Sequence, residues 1–372
     1  VSALAQRAPT GWEVSGLPAI NYNADEGFGY GVLLHLYNYG QAGKLPYRFT
    51  LQPTVFLTSN GRRDLTLFFD APDVGGSRWR LDAYAGHETH NASPYYGIGN
   101  ATIRIDSLAD AKYYRFGRRR LQVTTNLQRR LGVTKLRMLF GAGAVRVRVD
   151  ESPDAVPTSV STEFRAVEPP EGWSNYVRAG LVWDSRDRET HTTRGTWADA
   201  LIQRVDKALG SDWSYTRATM TVRHYRPLGG RLTWAERIVV QSVTGEAPFY
   251  DLAVVQTSFK PQEGLGGGGT LRGLPANRYV GKGLAVLNSE LRWRAANFTL
   301  IGAASSLTLS GFVDAGRVWS ERLQLSELVS DLHAAFGGGI RLGRGPNFVI
   351  SLDAAHSAQS TLPLYIGLGF LF

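Results

Sequence analysis

The chain contains no cysteine, which excludes a disulfide scaffold and any thiolate metal centre. It also lacks any run approaching the ~18 consecutive apolar residues of a membrane helix, so a helical membrane protein is excluded. That absence does not speak against strands that cross a membrane, because their alternating faces cancel in an averaging window. Helical periodicity is nearly missing, while spacing by two recurs along the whole sequence. Disorder is excluded by what is abundant: 43% of residues are hydrophobic, with 9 Trp, 16 Tyr and 16 Phe, ample apolar surface to bury. Glycine is also in surplus, 42 of 372 residues or about 11% against a usual ~7%.

Charge adds a second constraint. The formal net charge is +9, a balance that invites nucleic acid as a partner. Nucleic-acid binding requires Lys and Arg clustered on one face, whereas many arginines here occupy alternate positions inside strand-like runs. The excess therefore reads as the lining of an interior, or as a surface facing anionic headgroups, and no nucleic-acid partner is expected. At the start, Ala3-Leu4-Ala5 fits a small-x-small signal-cleavage site.

Alternation identifies the elements. In Arg48–Thr58, Phe49, Leu51, Val55 and Leu57 share one face, opposite Arg48, Thr50, Gln52, Thr54 and Thr58. Leu284–Arg294 sets Ala285, Leu287, Leu291 and Trp293 against Asn288, Glu290, Arg292 and Arg294. Soluble sandwiches alternate too, but their strands average about five or six residues. Runs such as Lys112–Arg130 are far longer, as in a membrane barrel with a polar interior.

Turn signals place sixteen strands, at 12–22, 27–38, 47–58, 63–71, 78–90, 112–130, 133–148, 172–185, 194–206, 213–226, 231–244, 282–295, 304–319, 332–343, 346–356 and 362–372. With both ends of the array on the periplasmic side, the tight turns at 131–132, 227–230 and 343–346 all fall there. The long connections at 91–111, 149–171, 245–281 and 320–331 all fall outside, which is the asymmetry expected of such barrels. The expected fold is therefore all-β: a 16-stranded antiparallel transmembrane β-barrel spanning 12–372, preceded by a tail at 1–11.

The final residues, Tyr365-Ile366-Gly367-Leu368-Gly369-Phe370-Leu371-Phe372, resemble the outer-membrane β-signal read by the bacterial barrel-assembly machinery, which implies residence in a bacterial outer membrane. The segment 264–283 contains Leu271-Arg272-Gly273-Leu274, then Asn277-Arg278-Tyr279 and Asn288-Ser289-Glu290-Leu291-Arg292. It resembles the sixth extracellular loop of the BamA/TamA superfamily of outer-membrane insertases and translocases, whose tip carries Val-Arg-Gly-aromatic; here Leu274 replaces the ring. Asp184-Ser185-Arg186-Asp187 with Thr193-Arg194-Gly195-Thr196 is similar to the superfamily's D-x-R-D…P-T-x-G turn, with Thr192 in place of proline. Phe312-Val313-Asp314-Ala315-Gly316 and Tyr95-Tyr96-Gly97-Ile98-Gly99-Asn100 agree in order.

The resemblance implies that the long sixth loop folds into the lumen and that Arg272 there contacts a carboxylate. An unpaired guanidinium in a partly desolvated interior is costly, and alternation points Asp314, Asp353 and Glu290 inward. Asp314 is the first candidate, Asp353 the second and Glu290 the third; the competing account is that these acids only balance an arginine-rich lumen. The resemblance further implies a weak seam between first and last strands through which polypeptides are inserted or exported. Pro18 cannot donate to a ladder and, with Gly367, Phe370 and Phe372 of the terminal strand, marks that seam. Superfamily members usually carry periplasmic POTRA domains, and only residues 1–11 precede the first strand here, as in a fragment or a barrel-only form.

No enzyme, cofactor or metal site is expected. His87-Glu88-Thr89-His90 lacks the i, i+4 histidine spacing of a zinc helix, no G-x-S-x-G occurs, and Gly27, Gly29 and Gly31 alternate in a strand, which reads as a crease or close packing. Three functions remain open: an insertase or translocase acting on client polypeptides; a barrel anchor or subunit whose function lies in a periplasmic or outer-membrane partner protein; and a passive channel, which a lid carrying Arg272 disfavours. Outer-membrane lipids and lipopolysaccharide are the expected surroundings.

Overall fold

A computed structural model describes residues 9–23, 27–151, 158–163, 170–300 and 302–372. Its main body is one antiparallel sheet of fifteen long strands and a short sixteenth, each paired with its sequence neighbours. These are β1 Gly11–Asn23, β2 Gly27–Gly40, β3 Phe49–Thr58, β4 Arg63–Ala71, β5 Trp79–Pro94, β6 Arg115–Arg130, β7 Leu136–Glu151 and β8 Tyr176–Asp184. They continue as β9 Gly195–Val205, β10 Ser214–Gly229, β11 Leu232–Glu246, β12 Gly283–Leu300, β13 Ala303–Trp319, β14 His333–Arg344, β15 Phe348–Ser357 and β16 Leu364–Leu368. The sheet curls into a nearly closed barrel. Among the described residues no helix is long and apolar enough to cross a membrane.

The alternation that suggested strands is the physical basis of the barrel. On β10 and β11, Arg217, Thr219, Thr221, Arg237 and Gln241 are buried, while Met220 and Ile238 between them are about half exposed. On β12, Asn288, Glu290 and Arg292 are buried, whereas Leu287, Leu291 and Trp293 are exposed. A protein whose polar residues are inside and whose apolar residues face out is built for lipid. The exposed Trp12, Trp183 and Trp293 lie toward the periplasmic ends of β1, β8 and β12, as an aromatic girdle does.

Gly29 and Gly31 on β2 are sites of close packing. A Cβ on Gly29 would meet the Phe56 ring at 2.5 Å, and one on Gly31 would meet the Val55 carbonyl oxygen at 2.1 Å.

The first strand falls where it was expected, and the last one departs from expectation. β1 pairs with β2 along its length, including Pro18 opposite Val32, and among the described residues no ladder joins β1 to β16. The terminal strand is not 362–372: β16 has five residues, paired with β15 from Ala354↔Leu364 to Ile350↔Leu368. The Gly369 amide still donates to the Val349 oxygen at 2.8 Å, after which the chain turns away from the sheet. Phe370 and Phe372 instead rest on Arg292, with ring-centroid distances of 4.5 and 4.9 Å, and Phe372 also approaches Arg237 and Tyr225 on β11 and β10. Aromatic faces on a row of guanidinium groups gain cation–π attraction, which competes with continued pairing of a short edge strand. Residues 1–8 of the expected tail lie outside the described residues.

Candidate functional site

The connection from β11 to β12, residues 247–282, holds a helical turn at Phe249–Leu252 and a two-stranded ribbon, Val254–Val255 with Gln262–Glu263. Its second half is a tight knot made by its own sequence. The Thr270 hydroxyl donates to the Gly264 oxygen at 2.6 Å and accepts from the Gly266 amide at 3.0 Å, and Asn277 Oδ1 accepts from the Gly264 amide at 2.7 Å. Gly266 has φ +117°, and a Cβ there would lie 2.0 Å from the Pro275 oxygen, so only glycine fits. Leu265, Leu271, Leu274 and Tyr279 pack with Val239, Leu284, Val286, Val318 and Ala335 of the barrel strands. Leu274 thus fills its position as an aliphatic packing residue.

This packing delivers Arg272 to the polar side of the sheet, where it is fully buried. Its Nε donates to Asp314 Oδ2 at 2.8 Å and its Nη2 to Asp314 Oδ1 at 3.0 Å, while its backbone amide donates to Asp314 Oδ2 at 3.1 Å. The Nη1 atom donates to Asp353 Oδ2 at 3.1 Å and lies 2.8 Å from Glu290 Oε1. Glu290 Oε1 has no properly directed donor, so that contact is held by charge and not by a directed hydrogen bond. Phe312, two residues before Asp314, lies under the guanidinium at 3.4 Å from its central carbon to the ring centroid. The structure therefore brings together Arg272 and all three carboxylates named from the sequence, with Asp314 making the most contacts.

Three further residues complete the arrangement. Arg341 on β14 donates to both Asp353 oxygens, at 2.6 and 3.0 Å. Arg292 Nε donates to Glu290 Oε2 at 2.8 Å, and Asn288 Nδ2 donates to Asp314 Oδ1 at 2.8 Å. Three guanidinium groups meet three carboxylates, which is the balance a buried ionic group requires. Burial alone would lower the proton affinity of Arg272, but Asp314, with Glu290 and Asp353, raises it above the ordinary arginine value, so the side chain stays charged. Gly273 (φ +96°) is fixed on both sides, its amide donating to Tyr365 Oη at 2.9 Å and its oxygen accepting from Ser357 Oγ at 2.6 Å. Gly367, Phe370 and Phe372 are not part of this network; Phe370 approaches it through Arg292 and Arg341 and Phe372 through Arg292, and Pro18 lies on the opposite edge.

A second set of contacts ties the periplasmic turn 185–194. Arg80 on β5 binds Asp70 through Nε and Nη2, both at 2.8 Å, and Glu189 of the turn through Nη1 and Nη2, both at 2.9 Å. Phe259 of the 247–282 connection covers Arg80 at 4.7 Å. His191 of the same turn reaches Gly343 on β14 and Phe370. The turn thus crosses from β8–β9 to β5 and β14.

A sequence-family model of the Omp85 superfamily domain matches residues 45–369. The chain belongs to the Omp85 superfamily. Among solved structures, it is similar in fold to BamA from Haemophilus ducreyi lacking POTRA domains 1–3, with a TM-score of 0.58 and 14% identity over 97% of this chain and 70% of that one. It is also similar to CdiB from Escherichia coli, with a TM-score of 0.56 and 13% identity over 96% of this chain and 61% of that one. This chain therefore spans about three-fifths of the length of CdiB. No curated protein matches it in a sequence comparison. As an Omp85 barrel it is a protein of the bacterial outer membrane. Among the described residues no group of three or more acidic or histidine side chains is placed to hold a metal ion.

Proposed function

We propose that this Omp85 barrel inserts or exports polypeptides, using the gap between β1 and β16 as a lateral opening and the connection 247–282 as a lid locked into the lumen by Arg272. The observation that carries this reading is that, among the described residues, β1 pairs only with β2 and the five-residue β16 only with β15, the residues after β16 having left the sheet. Free strand edges present unpaired N–H and C=O groups and accept an added strand. Pro18 on β1 weakens re-pairing of the seam.

The lid and the turn 185–194 support this reading over that of a passive channel, since each sets buried ion pairs across the lumen. Client polypeptides would be delivered through a periplasmic or outer-membrane partner protein, with membrane lipids and lipopolysaccharide around the barrel. The test is a proteoliposome assay in which an unfolded client barrel is followed to protease resistance. Vesicles holding the protein should speed client insertion over protein-free vesicles; equal rates would contradict the proposal.

A further inference from the structure

A cavity of about 330 Å³ lies between the 247–282 connection, the turn 185–194 and residues 369–372. Its charged side chains are Arg80, Arg186, Arg223, Lys260 and Arg292 against Asp70 and Glu189, and the Phe372 main-chain oxygen also lines it, accepting from Arg292 at 3.2 Å. Both carboxylates are taken up by Arg80. Arg186 is chelated by Asp184 at 3.0 and 3.1 Å, and Arg292 is held by Glu290. Among the described residues the remaining two cations have no carboxylate within ion-pair distance, although Asp199 and Asp184 lie near Arg223 and Asp70 near Lys260. Lys260 donates only to the neutral Gln52 Oε1, at 2.9 Å, and lies over the Phe68 ring.

Among the described residues Arg223 has no hydrogen bond or ion pair, and its Nε is buried without a partner. Its cross-strand neighbour on β11 is another arginine, Arg237, which donates only to neutral oxygens of Asn288, Gln262 and Gly269. Like charges directly opposite each other in a sheet destabilise it, and a buried guanidinium without an acceptor is costly. An adjoining cavity of about 220 Å³ shares His191, Thr192, Arg292 and Phe370 with the first, adds Arg231 and Arg294, and has no carboxylate in its lining. It forms a cationic path that concentrates anions toward the larger cavity.

We propose that the larger cavity is an anion-binding site for a phosphate-type dianion, held by Arg223 and Lys260 with Arg186 and Arg292 beside them. Two cations without a direct ion pair match two negative charges. The donors come from β10, from the 247–282 connection, from the turn and from β12, a spread of directions that suits a tetrahedral oxyanion better than a planar carboxylate. Burial supports the assignment at Lys260, whose ammonium is pushed down to about 8 against a weaker opposing pull from Asp70; an anion in contact would restore it. The phosphate group has two available sources, the free ion and a phosphomonoester lipid.

The test is calorimetric titration of the detergent-solubilised chain at constant chloride, with inorganic phosphate, with short-chain phosphatidic acid dispersed in the same detergent, and with succinate. Wild-type protein and the exposed-arginine control Arg129→Gln should show one saturable site for phosphate or for the phosphatidic acid, and the tighter of the two names the source. Arg223→Gln and Lys260→Gln, each checked for barrel folding by heat-modifiable gel mobility, should weaken it about tenfold or more. The proposal is overturned if neither phosphate compound binds saturably, if binding is unchanged in both cavity variants, or if succinate binds as tightly as phosphate.

Discussion

Arg272 and Asp314 meet through three hydrogen bonds, two from the guanidinium and one from the arginine's own backbone amide, at 2.8, 3.0 and 3.1 Å. The backbone bond matters because it makes the position of the lid main chain, and not only of a side chain, depend on one barrel carboxylate. Both groups are fully buried, so neither is easily rescued by water.

Breaking this pair from one side should cost about 3–5 kcal/mol of lid docking, because a buried charge is left without its counter-ion. Arg272→Ala and Asp314→Asn are each expected to expose the 247–282 connection to proteinase K in intact cells. In a double-mutant cycle the combined variant should lose clearly less than the sum; additive losses would mean that the two residues do not act as one unit.

The glycine after Arg272 provides a steric version of the same test. Gly273 has φ +96°, and a Cβ there would sit 2.9 Å from Ala335 Cβ and 3.3 Å from Ser357 Cβ. Gly273→Ala should therefore strain the loop by about 1–3 kcal/mol and increase proteolysis of the lid without altering any charge. Unchanged protection would show that the loop tip has room to shift.

Conductance follows from the two closures. Wild-type protein in planar bilayers should show low, flickering conductance if, as proposed, the lid and the turn 185–194 both close the lumen. Arg272→Ala should raise the open fraction. A large, steady wild-type pore would contradict the placement of both segments.

Glu189 gives a pH dependence. Burial raises its carboxyl, but Arg80, with help from Arg186 and Arg137, more than reverses this and holds it at about 2, below the ordinary 4.5. The folded value is depressed, so the stabilisation from this group is fully present above about 4.5 and is lost as pH falls through about 2. Hydrogen exchange in residues 185–194 should stay protected at pH 4 and loosen only near pH 2. In Glu189→Gln the same amides should exchange about tenfold faster or more at pH 7, with no acid step of their own; a step near pH 4.5 in wild-type protein would show that the Arg80 contact is not formed.

Period-two alternation made the barrel legible from sequence because it is a local property: each strand's two faces are written in consecutive residues. The same rule turned Asp314, Asp353 and Glu290 inward, and the family resemblance, with the cost of an unpaired buried guanidinium, attached them to Arg272. Arg341 and Phe312 sit at equally inward positions, yet alternation does not say which of many lumenal residues meet across strands. The end of β16 was misread for a different reason. Residues 369–372 retain a strand pattern, and what withdraws them is a tertiary competition, Phe370 and Phe372 on Arg292 and Arg237, that no local pattern records. The crossing of the turn 185–194 toward Arg80 was hidden likewise, since its partners lie about a hundred residues away.

The central claim is that the seam must open, and the absence of native cysteine makes it directly testable. Cysteines placed on β1 and β16 and joined by a short thiol crosslinker should abolish client insertion in the proteoliposome assay, and a reducible linker should restore it when cleaved. Full insertion activity in the fully crosslinked protein would contradict the account.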